Sequence, residues 1–334
     1  MPKSAKPPAT AARPLGPRTG HRHALRPPRI FTYVDAVVRH GSIRRAANAL
    51  HIASSALNRR ILDLEEQLGE TLFERLPRGV RPTAAGELFA SYVRRNLSDL
   101  ELVGSQIERL RGLVRGEVRL GAAESVAGDL LPKAISAFQR RHPGVRFHVQ
   151  VGPPGPLEAE LADDSVDLVL THEPPQNRRV TILASVAHPF CAVMASSHPL
   201  AKQRSLRLRD CRPYPIALSD PSLAGRALIQ KALTRSSYQL EPVLVSNSVE
   251  MMKAYARDSQ GICFQFRTGA AHDIAHHEMV AVPLAEPALG RTQLVLAARR
   301  GRVLPVAAAE FSEGRAAVQP HSLCGGACGR RSAC

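Results

Sequence analysis

No stretch of this 334-residue chain approaches the roughly 18 consecutive apolar residues that a bilayer-spanning helix needs. The N-terminus also lacks the apolar run of a secretory signal, so the expected compartment is the cytoplasm, with no membrane partner. Residues 1–30 hold no acid at all, against seven basic residues (Lys3, Lys6, Arg13, Arg18, Arg22, Arg26 and Arg29). That bias imitates an organellar transit peptide, but seven prolines in the first 28 residues break any amphipathic helix. Residues 1–28 therefore read as a disordered basic tail. Catalytic motifs are missing too. Ala123-Glu124-Ser125-Val126-Ala127 lacks a Gly-x-Ser-x-Gly elbow, which argues against Ser125, His172 and Asp220 as a triad. No Gly-x-Gly-x-x-Gly opens a helix after a strand, and no Walker lysine motif occurs. His272, His276, His277 and Glu278 form the densest metal-like group. His276-His277-Glu278 lacks the second histidine at helical spacing that a zincin needs, and a solvated loop is the better reading. The expectation is no enzyme, no cofactor and no metal.

Cysteine is sparse and divided. Cys191, Cys211 and Cys263 lie in apolar segments and read as reduced thiols. Cys324, Cys328 and Cys334 occupy a Gly/Arg/Ser-rich tail, residues 313–334, whose spacing fits no standard zinc pattern. What the chain has in excess is positive charge, a net of +16 from 45 basic and 29 acidic side chains. Such a balance is consistent with nucleic acid as partner. Residues 31–82 carry eight arginines against six acids, and all the acids but Asp35 lie from Asp63 to Glu74.

The most informative stretch runs from Gly41 to Gly69. Ser42 can cap a helix whose apolar residues Ile43, Ala46, Ala47 and Leu50 follow the i, i+3, i+4, i+7 rule. His51, Ile52 and Ala53 make a break too short for a loop between independent elements. A second helix is predicted over Ser54–Leu68, burying Ala56, Leu57, Ile61, Leu64 and Leu68 and ending at a left-handed Gly69. Its outward residues Ser54, Ser55, Asn58 and Arg59 are short hydrogen-bonders and a guanidinium, suited to a major groove. An ordinary α-hairpin would share this pattern. The residues that follow favour a helix-turn-helix. Leu72-Phe73-Glu74-Arg75, a turn at Pro77-Arg78-Gly79, and a return strand through Arg81-Pro82 predict a basic wing, after which Thr83 caps a long helix.

At this point the chain resembles the LysR-type transcriptional regulators. The resemblance is carried by Gly41-Ser42-Ile43 with Ala46-Ala47, Leu50-His51-Ile52, Ala56-Leu57-Asn58-Arg59, Leu68-Gly69, Leu72-Phe73-Glu74-Arg75 and Thr83 with Ala85-Gly86, and it extends from about Ile30 to about Phe311. Four positions depart from the family pattern. Ala53 stands where a capping serine is usual, Ser54-Ser55 replace a frequent Gln-Pro pair, and Arg60 replaces a common glutamine. Ser54 is expected to take over as cap. DNA-binding candidates are Arg44, Arg45, Ser54, Ser55, Asn58, Arg59, Arg60, Arg78 and Arg81.

From Thr83 to Val114 there is no proline, and apolar residues recur at spacings of three and four. Phe89, Val93, Leu97, Leu100, Ile107 and Leu110 form a seam narrow enough for a coiled coil between two subunits. A long helix packed on its own domain is the competing reading. Beyond Arg115-Gly116 strands and helices alternate. Strands are predicted at Val118–Ala122, Val145–Val151, Val166–Leu170, Phe190–Met194, Tyr214–Leu218, Val243–Val245, Ile262–Phe264 and Leu294–Ala297, with helices at Leu130–Arg141 and Leu157–Leu161. That order implies mainly parallel sheets covered on both faces.

The expected fold is α/β, with a winged helix-turn-helix over 29–82, a dimerising linker helix over 83–114 and an effector domain over 115–312. The resemblance implies that the last is two subdomains like periplasmic binding proteins, with crossovers near Ala187-His188 and Arg299. Open α/β sheets bind ligands at strand carboxyl ends. Here those ends carry Glu124, Ser125, Thr171, His172, Asn247 and Ser248, with Ser219 and Asp220 at another. The implied function is a sequence-specific, effector-modulated regulator. Its implied partners are double-stranded DNA, an unidentified small molecule and further copies of itself, as a dimer paired into a tetramer, with RNA polymerase a further candidate. A solute-binding module, or a nucleoid-type DNA binder without effector response, is the competing account.

Overall fold

The computed structural model describes residues 26–110, 112–173, 178–234 and 238–314. Residues 1–25 of the basic tail, and Cys324, Cys328 and Cys334, lie outside the described residues. The chain opens with α1 (Arg29–His40), which ends at a left-handed Gly41, φ 56°. Ser42 then caps α2 (Ile43–Ala49), its hydroxyl accepting from the Arg45 N–H at 3.4 Å. After the short break comes α3 (Ser54–Leu68), ended by left-handed Gly69, φ 68°. Leu57 and Ile61 are its buried stripe, packed with Val34, Val37, Ala46 and Ala47. The stripe is narrower than periodicity suggests, since Ala56 and Leu68 are exposed. Ser54 does not become the cap. Ala53 holds that position with no side-chain bond, and Ser54 is already the first helical residue.

The wing is β1 (Phe73–Leu76) and β2 (Gly79–Pro82), antiparallel, with Glu74 opposite Arg81 and Leu76 opposite Gly79. Two contacts pin it. The Glu65 carboxylate accepts the N–H groups of Leu72 and Phe73, at 2.7 and 3.0 Å, joining α3 to β1. The Val80 N–H donates to the Gly41 carbonyl at 3.0 Å, joining β2 to the α1–α2 turn. Gly79 makes that approach feasible: its φ is 145°, and a Cβ there would lie 2.2 Å from the Gly41 oxygen.

Thr83 starts α4 (Ala84–Leu110), donating its hydroxyl to the Thr71 carbonyl and accepting from the Gly86 N–H. The first half of α4 completes the winged unit's own core. Val93 is fully buried there, and Phe89 and Leu97 pack on the same cluster. The expected intersubunit seam is corrected at this point, because Val93 has no surface left for a partner.

The first half of the regulatory region follows as β3 (Gly116–Ala122), α5 (Glu124–Ala127), α6 (Leu130–Arg141), β4 (Val145–Val151), α7 (Pro154–Ala162), β5 (Leu168–His172) and β6 (Val180–Ala187). The chain then crosses at His188 to a second sheet. This half has β7 (Phe190–Ala195), α8 (Leu208–Cys211), β8 (Ile216–Ser219), α9 (Ala224–Leu233), β9 (Leu244–Ser246), α10 (Val249–Asp258) and β10 (Ile262–Phe266). A 3-10 turn (Arg267–Ala270), α11 (Ala271–Ala275), β11 (Met279–Pro283) and α12 (Pro287–Gly290) complete it. The chain returns along β12 (Gln293–Arg299) and ends its described part with α13 (Val306–Glu313).

Strand order is β4-β3-β5-β12-β6 in one sheet and β11-β7-β10-β8-β9 in the other. In each sheet four strands run one way and one, β12 or β7, runs against them, so the sheets are mainly parallel as expected, with one reversed strand apiece. β12 is antiparallel to β5 and β6, and β7 is antiparallel to β10 and β11. The cause is the double crossing: the strand that brings the chain into each sheet from the other, β7 or β12, runs against the βα units, while the strands by which it leaves, β6 and β11, run with them. The second crossing lies at Thr292, not near Arg299, which ends β12 within the first sheet. At the crossing the His188 N–H donates to the Thr292 carbonyl at 2.8 Å, and the Thr292 hydroxyl donates back to the His188 carbonyl at 2.5 Å. The two connections are thus bonded side by side.

Aromatic and branched residues fill one core per half. Phe138, Phe147 and Phe311 meet edge to face in the first, at centroid distances of 5.1 to 5.9 Å. Phe190, Phe264 and Phe266 anchor the second. Charges tie α4 to the first half. Arg94 pairs with Asp163 at 3.2 Å, Glu101 with Arg119, and Arg109 with Glu310 at 3.4 Å, while the Ser105 hydroxyl accepts the Val306 N–H. Beneath them Arg302 bridges buried Asp164 and Asp167.

Candidate functional site

The first site is the polar face of the winged unit. Ser54, Ser55, Arg59 and Arg60 are exposed along α3, and Arg44 and Arg45 are exposed on the first turn of α2. Arg78 sits in the exposed wing turn, which the Gly79–Gly41 contact holds against the α1–α2 turn beside Arg44 and Arg45. Asn58 is half-buried, and its carbonyl oxygen accepts from Arg75 at 2.9 Å. Arg75, absent from the sequence-based candidates, therefore orients an α3 side chain from β1. After buried Phe73, the residues Glu74, Arg75 and Leu76 are all exposed, so no alternation along the strand singles Arg75 out. Arg81 pairs across the strands with Glu74 at 2.6 Å, so its charge is partly neutralised. The uncapped start of α3 leaves backbone N–H groups available to an oxyanion.

Beyond the winged unit, α4 presents an apolar surface of a different kind. Val103, Ile107 and Leu110 are exposed, Leu110 at 89%, and with Gln106 and Arg109 they line a shallow groove of about 550 Å³. Leu100 is half-buried in its own subunit.

The second site is the junction between the two halves of the regulatory region. β3, β4 and β5 are parallel, as are β8, β9 and β10, so each trio brings its carboxyl ends to one edge of its sheet. α5, after β3, packs against the 3-10 turn after β10 and closes the junction. Ser125 Oγ lies 2.6 Å from His172 Nε2, both buried, which joins two sequence-predicted residues. The His172 ring stacks on Phe266, centroids 3.3 Å apart, and lies 5.2 Å from the ring of His188. Burial holds both imidazoles neutral. His172 falls well below its ordinary pKa, and His188 falls to about 4 through burial and then the neighbouring Arg267 charge. His188 was expected only as a crossover position, and its two ring nitrogens are buried without partners.

The remaining candidates divide. The Glu124 carboxylate reaches across the junction and accepts the Val249 N–H at 2.8 Å, at the first residue of α10. It also bonds Ser248, whose hydroxyl accepts from the Met251 N–H as the helix cap. Glu124 and Ser248 thus fasten the two halves together. Burial pushes the Glu124 carboxyl above the usual carboxylate range, outweighing those hydrogen bonds. Thr171 is buried on the face of β5 opposite His172, beside Val295, and Asn247 is exposed after β9. The expected convergence of Ser125, Thr171 and Asn247 is therefore not what the fold brings together. Arg226, Arg267 and Thr268, around the same junction, escaped the strand-end reading. The buried cysteines are not reactive groups: burial pushes Cys191, Cys211 and Cys263 to about 12.

Among the described residues no helix is long and apolar enough to cross a membrane. The family model described as "Bacterial regulatory helix-turn-helix protein, lysR family" matches residues 29–87, and that described as "LysR substrate binding domain" matches residues 111–314. A RuBisCO operon transcriptional regulator of Allochromatium vinosum is 29% identical over 87% of this chain and 94% of its own length. An SDS degradation transcriptional activation protein of a Pseudomonas species is 30% identical over 82% of this chain and 90% of its own length. Among solved structures, a full-length OxyR variant of Pseudomonas aeruginosa has a TM-score of 0.66 at 19% identity, covering 87% of this chain and 94% of that one. A full-length CbnR complexed with its target DNA has a TM-score of 0.59 at 19% identity, covering 86% and 99%. A winged helix-turn-helix, a long connecting helix and a two-sheet binding domain all agree with these matches: the chain belongs to the LysR family, DNA-binding transcriptional regulators whose activity an effector modulates.

Proposed function

We propose that α3 enters the major groove of duplex DNA, with Ser54, Ser55, Asn58 and Arg59 at base edges and with Arg44, Arg45 and Arg78 on phosphates. The observation that carries this is the pinned wing. The close Gly79–Gly41 contact holds the wing turn that carries Arg78 against the α1–α2 turn, next to the start of α2 with Arg44 and Arg45, and this supports a shared basic surface. Arg60 and Arg81 are auxiliary, since each has an acidic neighbour, Asp63 at 4.0 Å and Glu74 at 2.6 Å. The exposed stripe Val103, Ile107 and Leu110 pairs with its copy in a second subunit, and two winged units on one two-fold axis require an operator with dyad symmetry. Dimers paired into a tetramer, working on DNA in the cytoplasm, belong to the same reading, and the CbnR–DNA complex supports the mode of engagement.

The effector enters the junction at Ser125 and His172, where buried polar groups meet aromatic rings. Among the described residues the cysteines Cys191, Cys211 and Cys263 are buried and protonated, so this reading gives them no part in the response. The test is a salt titration of DNA binding by fluorescence anisotropy. Arg59→Ala should weaken specific binding by about 1–3 kcal/mol, while Arg78→Ala should lower affinity for all sequences and flatten the salt slope. Unchanged specific binding in Arg59→Ala would show that α3 is not the reading element.

A further inference from the structure

The junction contains more buried hydrogen-bonding capacity than it uses, and the excess is concentrated in the second half. Ser219 Oγ, Thr268 Oγ1, and Nε and Nη1 of Arg226 are buried without a hydrogen-bond partner. Ser219 ends β8, Arg226 stands in the first turn of α9 immediately beyond, and Thr268 follows β10. Because β8 and β10 are parallel, these positions share one edge of the sheet. Ser219, 2% exposed, faces the start of α9, its Oγ 3.4 Å from where a Cβ on Gly225 would stand. The Phe190 ring packs against the same face of Gly225, 2.9 Å from where that Cβ would stand, and the Phe190–Phe266–His172 rings run on to Ser125.

The start of α9 has no side-chain cap. Its unused backbone donors, a buried hydroxyl and an unpaired guanidinium all call for negative charge. Nearby carboxylates do not supply it. Asp220 Oδ1 is occupied by the N–H and hydroxyl of Ser222, and Glu124 is occupied at α10. Among the described residues neither Arg226 nor Arg267 forms an ion pair. The buried Nε and Nη1 of Arg226 are left without an acceptor, and an anion would supply one.

We propose that the effector is an anion whose carboxylate or phosphate group seats at the start of α9, against Arg226 and Ser219, with Thr268 and Arg267 from the end of β10 completing the donor set. This deepens, and rests on, the assignment of the junction as the effector site. Entry requires the Glu124 clasp to part, which makes anion binding and the relation of the two halves a single event.

The test uses the full chain with inorganic phosphate, malonate and, as a cationic control, putrescine, read by calorimetric titration and thermal shift. Wild type, Arg226→Met, Arg226→Lys and Ser125→Val are compared. Phosphate or malonate should stabilise the wild type, the two separating a phosphate from a carboxylate preference, and putrescine should not. Arg226→Met should bind the preferred anion roughly tenfold or more weakly, with Arg226→Lys intermediate. Without ligand, Arg226→Met should melt no lower than wild type, which separates lost binding from lost folding. Equal anion binding by wild type and Arg226→Met overturns the inference, as does stabilisation by putrescine alone or by none of the probes. Binding reduced by Ser125→Val but not by Arg226→Met overturns the inference while leaving the junction as the effector site. Loss in Arg226→Met with no change in Ser125→Val supports the anion site and removes it from that junction.

Discussion

His188 gives a prediction whose size can be worked from the structure. It lies at the first crossing, its backbone bonded to Thr292 and its ring buried beside His172 and Phe266. The folded chain takes up the His188 proton only near pH 4, whereas the unfolded chain does so near 6.5. Between those values the unfolded state binds more protons, so stability falls as pH drops through the window and is fully present above it. At about 1.4 kcal/mol per pH unit, the loss accumulates to about 3 kcal/mol by pH 4. His172 shifts in the same direction and adds to the loss. Replacing His188 with glutamine removes its contribution, whatever constant penalty the substitution carries. Urea unfolding should be followed for both proteins from pH 7 down to pH 4. The stability curve of His188→Gln should be the shallower, by up to about 1.4 kcal/mol per pH unit. Parallel curves would show that the ring is not held neutral by burial, and the packing of the junction would have to be redrawn.

Two further substitutions probe the DNA-binding half and the assembly. Gly79→Ala places a Cβ 2.2 Å from the Gly41 carbonyl oxygen at φ 145°, and strain of about 1–3 kcal/mol plus that clash should displace the wing. Anisotropy should show weaker binding to specific and nonspecific duplexes alike, and undiminished affinity would mean that the wing does not touch DNA. Ile107→Lys with Leu110→Lys puts charge on the exposed stripe of α4, where each apolar side chain covered by a partner would contribute about 1.5–3 kcal/mol. Sedimentation equilibrium should report a smaller assembly, and an unchanged mass would place the subunit contact elsewhere.

Much of this fold is legible in the sequence because local signals agree with tertiary ones. Ser42 and Gly69 bracket the two helices of the DNA-binding unit as their chemistry requires, and α3, α6 and β4 occupy their predicted ranges. The mainly parallel order follows from the strand-helix alternation, but the one reversed strand of each sheet does not, because direction at a crossing is not a local property. β6 was missed because, as an edge strand with half its residues exposed, it shows no continuous apolar run. Val93 fits a seam by spacing, but spacing does not say which surface covers it. Among site residues, Ser125 and His172 follow from the rule that ligands meet strand ends. Glu124 as a clasp and Arg226 as an unpaired cation do not, because a partner or its lack exists only in three dimensions.

Selection of binding sites from a pool of random duplexes tests the central claim most directly. Immobilised wild-type protein should enrich a site of two half-sites related by a dyad. Arg59→Ala should lose or alter the preferred bases within each half-site, and Arg78→Ala should recover the same site at lower yield. No enrichment by the wild type, or an unaltered site in Arg59→Ala, would contradict the account of α3 as the element that reads DNA.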